Sequence, residues 1–284
     1  MAVETKAREQ TPFGRVEHPH SGKRVVTYAK DGHVAIVTMD DPPANTYTHE
    51  MMRQLDEAIL DARFDDEVEA IVLTGAGDRF FSAGANVGML NSVTPQFKYY
   101  FCLHANETLQ RLEQTPKLVI AALNGHAVGG GLEIAMACDI RIARRDSGKI
   151  GLPEVGLGVL PGTGGTQRLA RLVGKAKAIE LIVTGRTFSF ELALEMGIVN
   201  DVYEGDGASF REQILAYAKQ FCSPNKAPMA VGLIKRSIQT GAELPLQDAL
   251  ALERELQSLL FKSRDAQEGI GAFTEQRVAR FENR

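Results

Sequence analysis

Apolar positions along the chain fall into short continuous runs, helical repeats and glycine-interrupted stretches. Residues 25–29 and 34–39 are short β-branched runs that predict two strands. Between them Lys30-Asp31-Gly32 carries the Asp-Gly pair of a tight hairpin. Asp40-Asp41-Pro42-Pro43 ends the second strand, and Thr48 can cap a helix whose Met51, Leu55, Ile59 and Ala62 recur at helical spacing. A buried strand is expected over 70–74, broken by Gly75-Ala76-Gly77, then a second over 80–87 running into a glycine corner. An amphipathic helix follows over 96–113. The wholly apolar 118–123 leads into Asn124-Gly125-His126-Ala127-Val128-Gly129-Gly130-Gly131-Leu132-Glu133, which reads as strand, glycine corner and first turn of a buried helix. Short strands are expected over 139–143 and 149–151, then a long shaped loop over 153–165 that meets a helix N-terminus near Gly164. Helices over 175–183 and 190–196 and a strand over 198–203 complete this part. Strand, short strand and helix recur, which points to a repeated ββα unit.

From residue 208 the pattern is helical only, with Phe210, Ile214, Tyr217 and Phe221 on one face and further helices over 227–237, 246–261 and 266–281. The chain therefore divides into a polar tail (1–23), an α/β core (24–207) and a C-terminal helical region (208–284). A helical region of that length is expected to pack on the rest of the molecule or on a partner subunit.

Composition narrows the function classes. With 284 residues, 44% hydrophobic and 24% charged, the chain can bury a large core. A net charge of −4 gives no general attraction to nucleic acid or anionic membrane. Cys102, Cys138 and Cys222 are too scattered for a disulfide framework, and Cys138 reads as a buried thiol. The tail has no apolar h-region and no run reaches membrane-span length, so a cytoplasmic protein is expected.

No phosphate-binding P-loop occurs, Gly162-Thr163-Gly164 does not continue as a dinucleotide fingerprint, and Phe80 breaks a serine nucleophile elbow at Ser82. The six histidines show no metal-ligand spacing, and a packing or hydrogen-bonding role is favoured for His126. No metal or redox cofactor is expected. Two glycine corners remain, Ala83-Gly84-Ala85 and Gly129-Gly130-Gly131, each able to aim a backbone N–H, together with two acids in apolar surroundings, Glu133 and Glu154. Burial raises a carboxyl pKa and suits it to proton transfer near neutrality. Singly, Glu133 reads equally well as an acid near a helix start, and Glu154 as a loop acid bonded to neighbouring amides. Together with both corners they favour catalysis.

Phe81-Ser82-Ala83-Gly84-Ala85, the run from Asn124 to Glu133, and Pro153-Glu154 through Pro161-Gly162-Thr163-Gly164-Gly165-Thr166-Gln167-Arg168 resemble the crotonase superfamily, nearest its enoyl-CoA hydratase branch. Thr184-Gly185-Arg186, Ala193 to Val199, Glu268-Gly269 and Ala272-Phe273 extend the resemblance over residues 24–281. It implies an α/β spiral of ββα repeats, with C-terminal helices packing in a homotrimer or a dimer of trimers. It implies an acyl-CoA thioester substrate, with no cofactor beyond the coenzyme A the substrate carries. The Ala85 and Gly130 amides would form the oxyanion hole, Glu133 would assist the attacking water, and Glu154 would supply the proton. Ala83, Asn86, Val87, Gly129, Pro153 and Leu157 would contact substrate.

Both acids being present favours reversible syn hydration of a 2-enoyl-CoA to a 3-hydroxyacyl-CoA. A Δ3,Δ2-enoyl-CoA isomerase or an acyl-CoA hydrolase remains an alternative, and a non-catalytic RNA-binding or scaffold role is disfavoured by the acidic balance. Three features depart from the family pattern. Asn86 replaces its Asp, Asp41-Pro42-Pro43 replaces the basic residue before Ala44-Asn45, and the 144–149 turn has one extra residue. Arg79 or Arg277 could supply the missing phosphate contact. Phe97, Tyr99, Tyr100 and Phe101 are expected to make one pocket wall bulky, favouring a short or planar acyl group.

Overall fold

The computed structural model describes residues 22–284, so all but the last two residues of the expected polar tail lie outside them. Strand β1 (Val26–Asp31) pairs antiparallel with β2 (Val34–Met39). The hairpin turns one residue later than expected: Asp31 pairs with Val34, and Gly32 takes the bend with φ +58°. Helix α1 (His49–Phe64) starts where Thr48 accepts a hydrogen bond from the Met51 amide, and it buries Met51, Met52, Leu55, Ala58, Ile59 and Ala62.

Three strand–strand–helix units follow. In the first, β3 (Ala70–Gly75) and β4 (Phe80–Ser82) lead to α2 (Val87–Ser92) and α3 (Pro95–Gln114). The second is β5 (Leu118–Leu123), β6 (His126–Val128) and α4 (Gly130–Met136). The third is β7 (Ile140–Arg144), β8 (Ile150–Gly151), a 3-10 turn (Glu154–Leu157) and α5 (Gly165–Val173). The first strand of each unit joins a six-stranded sheet, β1-β2-β3-β5-β7-β9, and the second joins a three-stranded parallel sheet, β4-β6-β8. The edge strand β9 (Asp201–Tyr203) follows α6 (Lys175–Thr184) and α7 (Phe190–Glu195). The expected strand over 80–87 thus stops at Ser82, and Asn86 instead caps α2.

The larger sheet is buried on both faces, which is why β3 and β5 read as unbroken apolar runs. Ile71, Leu73, Val119, Ala121 and Leu123 enter the main core, while Ala70, Val72, Leu118 and Ile120 enter a second core on the other face. That second core is covered by α8 (Gly207–Lys219), whose Phe210, Ile214 and Ala218 are buried on it. The first C-terminal helix therefore completes the sheet rather than standing apart from it. The chain continues as α9 (Pro228–Gly241), α10 (Leu246–Leu260) and α11 (Arg264–Thr274). The last helix ends before the expected 281: Gln276 lies at φ +55°, and the tail folds back so that Asp265 accepts from the Glu282 and Asn283 amides. Among the described residues no helix is long and apolar enough to cross a membrane.

Candidate active site

Leaving β4, the chain bends through Gly84 at φ +84°. Tyr47 bridges to Ala85 in parallel: its amide donates to the Gly84 carbonyl (2.9 Å), and its carbonyl accepts from the Asn86 amide (3.1 Å). This pairing turns the Ala85 amide away from Tyr47. The second corner follows β6, where Gly129 at φ +57° donates to the Gly151 carbonyl (2.8 Å) and Gly130 opens α4. A side-chain carbon on Gly130 would meet the Tyr47 ring at 2.1 Å, and one on Gly131 would meet the Ser82 carbonyl at 2.1 Å, so only glycine fits this approach. Neither the Ala85 nor the Gly130 amide has a hydrogen-bond acceptor among the described residues. Both residues line one cavity of about 590 Å³.

Glu133 lies one turn into α4, 1% exposed. Its Oε1 accepts from the Thr163 and Gly165 amides, each at 2.7 Å. The loop that supplies them is tied by Arg168, which donates to the Thr163 carbonyl (3.0 Å) and grips Glu113 with two hydrogen bonds (2.7 and 2.8 Å). Burial raises the Glu133 pKa above the usual carboxylate value, while the two amides and Arg168 pull it back. Glu154 sits on the 3-10 turn that follows β8. Its Oε2 is buried without a hydrogen-bond partner, and its Oε1 lies 2.9 Å from where a side-chain carbon on Gly129 would stand. Burial above all, then repulsion from Glu133, pushes its carboxyl up to about 7, against an opposing backbone hydrogen bond and Lys98. Both acids line the same cavity as the free amides. The site thus pairs two desolvated carboxyls with two unbonded donors, a combination suited to moving a proton beside a carbonyl whose oxygen gains charge.

Of the expected contact residues, Ala83, Val87, Gly129, Pro153 and Leu157 line this cavity. Asn86 does not: its side chain accepts from the Met89 amide as the α2 cap and donates to Thr46 Oγ1. The bulky wall is also absent. Phe97 and Phe101 turn into the core, Tyr99 and Tyr100 face outward, and α3 presents Pro95 and Lys98 instead. Pro95 and Lys98, three residues apart, lie on the cavity side of α3, and Lys98 reaches over the Phe101 ring at 5.3 Å. Tyr47 and Leu160 also line the cavity, although no local sequence pattern marks either as a site residue. Arg79 lies over the Phe80 ring and Arg277 pairs with Glu268 and Glu275, so Arg277 already has its anions. His126 accepts from the Lys149 amide at 3.0 Å and packs on Phe80, a structural role. Among the described residues no group of three or more His, Cys, Asp or Glu side chains could hold a metal.

Comparison with known proteins agrees with this geometry. The enoyl-CoA hydratase/isomerase family model matches residues 29–284. The short-chain-enoyl-CoA hydratase of Clostridium acetobutylicum is 40% identical over 263 residues, covering 91% of this chain and 98% of that protein. The crotonyl-CoA hydratase of Syntrophomonas wolfei is 34% identical over 255 residues, covering 89% and 95%. A crystal structure of an enoyl-CoA hydratase from Geobacillus kaustophilus superposes with a TM-score of 0.89 at 44% identity, covering 92% of this chain and 98% of the other. A two-sheet α/β fold, a cavity built from two glycine corners and near-full-length relatives coincide in one chain, which belongs to the enoyl-CoA hydratase/isomerase family of the crotonase superfamily.

Proposed function

We propose that the protein is an enoyl-CoA hydratase that adds water reversibly and syn across the double bond of a 2-enoyl-CoA, giving a 3-hydroxyacyl-CoA. The observation that carries this reading is that Glu133, Glu154 and the unbonded Ala85 and Gly130 amides line one cavity. The thioester carbonyl oxygen docks between the two amides. As water adds at Cβ, negative charge moves onto that oxygen, where preorganised donors stabilise it; one such donor is worth about 3–4 kcal/mol of barrier. Glu133, with two amides favouring its carboxylate form, takes the proton from the attacking water. Glu154, whose carboxyl burial pushes up to about 7, reacts in its protonated form and delivers its proton to Cα. The proton taken by one acid equals the proton given by the other, so the reaction draws only on water, the two acids and the substrate's own coenzyme A.

The acyl group lies against Val87, Leu90, Leu157 and Leu160, an apolar lining suited to a hydrocarbon chain. Self-association, as a trimer or a dimer of trimers, is supported by large apolar residues left exposed on the C-terminal helices, among them Ile238, Leu246, Phe261 and Phe273. The test is hydration of crotonyl-CoA, followed by loss of its enoyl-thioester absorbance and by the mass of the product. A product heavier by one water supports the reading. An unchanged mass indicates isomerisation and released coenzyme A indicates hydrolysis, and either result overturns it.

A further inference from the structure

Tyr47 has no part in the chemistry above, yet it is built into the site. Its backbone pairs with the first glycine corner at Ala85, and its ring fills the space where a Gly130 side chain would stand. The side chain is buried and stacks on Phe101 at 5.6 Å. Its phenol oxygen lies 2.9 Å from Oγ1 of Thr163, which is also buried. Thr163 is the residue whose amide donates to Glu133 Oε1 at 2.7 Å.

The direction of these hydrogen bonds follows from what each group can do. A carboxylate only accepts, whereas each hydroxyl has one proton to give. If Thr163 donated to Tyr47, the phenol proton would have no acceptor, because Thr163 Oγ1 is its one hydrogen-bond partner among the described residues. A buried hydroxyl with an unplaced proton carries its full desolvation penalty. The phenol proton is placed only when Tyr47 donates to Thr163.

From this arrangement we infer that Tyr47 is a positioning residue that, by holding the Thr163 hydroxyl, fixes the Thr163 amide as a donor on the catalytic carboxylate of Glu133. The inference rests on Glu133 acting as the base of the proposed reaction. The other ionisable groups that face this chain are Glu154 from the 3-10 turn, Arg168 from α5 and Cys102 from α3, and Tyr47→Phe leaves all three in place.

Tyr47→Phe keeps the ring and removes only the hydroxyl. Weakening a donor to the charged form raises the carboxyl pKa, so the acid limb of the kcat/KM profile moves to higher pH, by roughly half a unit. Turnover at neutral pH falls by roughly three- to tenfold. Thr163→Val breaks the same link and shifts the limb in the same direction, and Thr163→Ser restores it. Adding Tyr47→Phe to Thr163→Val changes nothing more, because the route through which Tyr47 acts is already gone.

A readout independent of turnover is the 13C carboxyl resonance of Glu133, identified by its loss in Glu133→Gln. Its titration midpoint rises in Tyr47→Phe whether or not an enoyl-CoA is hydrated. Wild-type protein that fails on crotonyl-CoA while showing this shift overturns the functional reading and upholds the hydrogen-bond chain. A folded Tyr47→Phe with lowered Tm but an unmoved midpoint and acid limb shows a merely structural tyrosine and overturns the inference. So does an additive effect in the Thr163→Val background.

Discussion

A side-chain carbon on Gly84 would stand 2.7 Å from the amide nitrogen of Gly130. The two glycine corners, separated in the chain by α2, α3, β5 and β6, therefore touch where their free amides face the cavity. Gly84→Ala should press directly on the donor at Gly130 while also straining a backbone at φ +84°. The expected result is a loss of about a hundredfold or more in kcat on crotonyl-CoA, with far-ultraviolet circular dichroism unchanged. Wild-type turnover in that variant would mean that the Gly130 amide does not bind the developing oxyanion.

Glu133→Gln and Glu154→Gln should each lower kcat by about a hundred- to ten-thousandfold, with smaller effects on substrate binding. Stopped-flow hydration of crotonyl-CoA with a separate binding titration reads both. Retained turnover in both variants would refute the two-acid mechanism.

The Glu154 carboxyl also makes stability depend on pH. Its folded pKa, about 7, lies above the usual 4.5, so ionising it costs more in the folded protein than in the unfolded chain. The favourable contribution is complete below pH 4.5 and is lost as pH rises through 7. Glu154→Gln cannot ionise, so its Tm should gain on wild type between pH 5 and 8 and hold that gain above. A constant Tm difference across this range would show that Glu154 is not desolvated as described.

Local signals made half of this site legible. Gly130 and Glu133 fall within one ten-residue stretch, and Glu154 directly follows Pro153; type and position mark each as a candidate, and only both acids taken with both glycine corners favour catalysis. Tyr47 gave no such signal, because it reaches the cavity only through its bridge to Ala85, a tertiary contact. Strand β6 has three residues, too few for alternation to show, and it hid inside the glycine corner. The apolar face of α8 was visible at Phe210 and Ile214, but periodicity does not say what a face packs against; the underside of the sheet claims it. In α3 the sequence showed aromatic bulk, while helix rotation sent Phe97 and Phe101 to the core and Tyr99 and Tyr100 to the surface.

Arg168 is expected to matter to activity without touching substrate. It holds Glu113 and the Thr163 carbonyl, and so fixes the loop whose amides grip Glu133. Its side chain is 14% exposed and that of Glu113 20%, so removing it leaves a poorly solvated carboxylate. Arg168→Met should cost about 1–3 kcal/mol of stability in urea unfolding and lower kcat by roughly tenfold or more. An unaltered kcat would show that the cradle around Glu133 holds without this ion pair.

The last prediction concerns assembly. Phe273 is 87% exposed on α11 and Ile238 is 65% exposed on α9, and both are large apolar side chains left in water by the isolated chain. Scattered exposed leucines are ordinary, but several large apolar residues on consecutive helices mark a surface that gains by being covered. Fully burying one such side chain contributes about 1.5–3 kcal/mol, enough for a few of them to offset much of the entropy lost on association. Sedimentation equilibrium should therefore give a mass several times the 31.0 kDa of one chain, three times for a trimer and six for a dimer of trimers. Phe273→Glu would place a charge in the covered surface and shift the distribution toward single chains, and Arg264→Glu, at the start of the same helix, serves as the charge-change control. A wild-type protein that sediments as one chain at micromolar concentration would refute self-association, and with it the role given to these apolar positions.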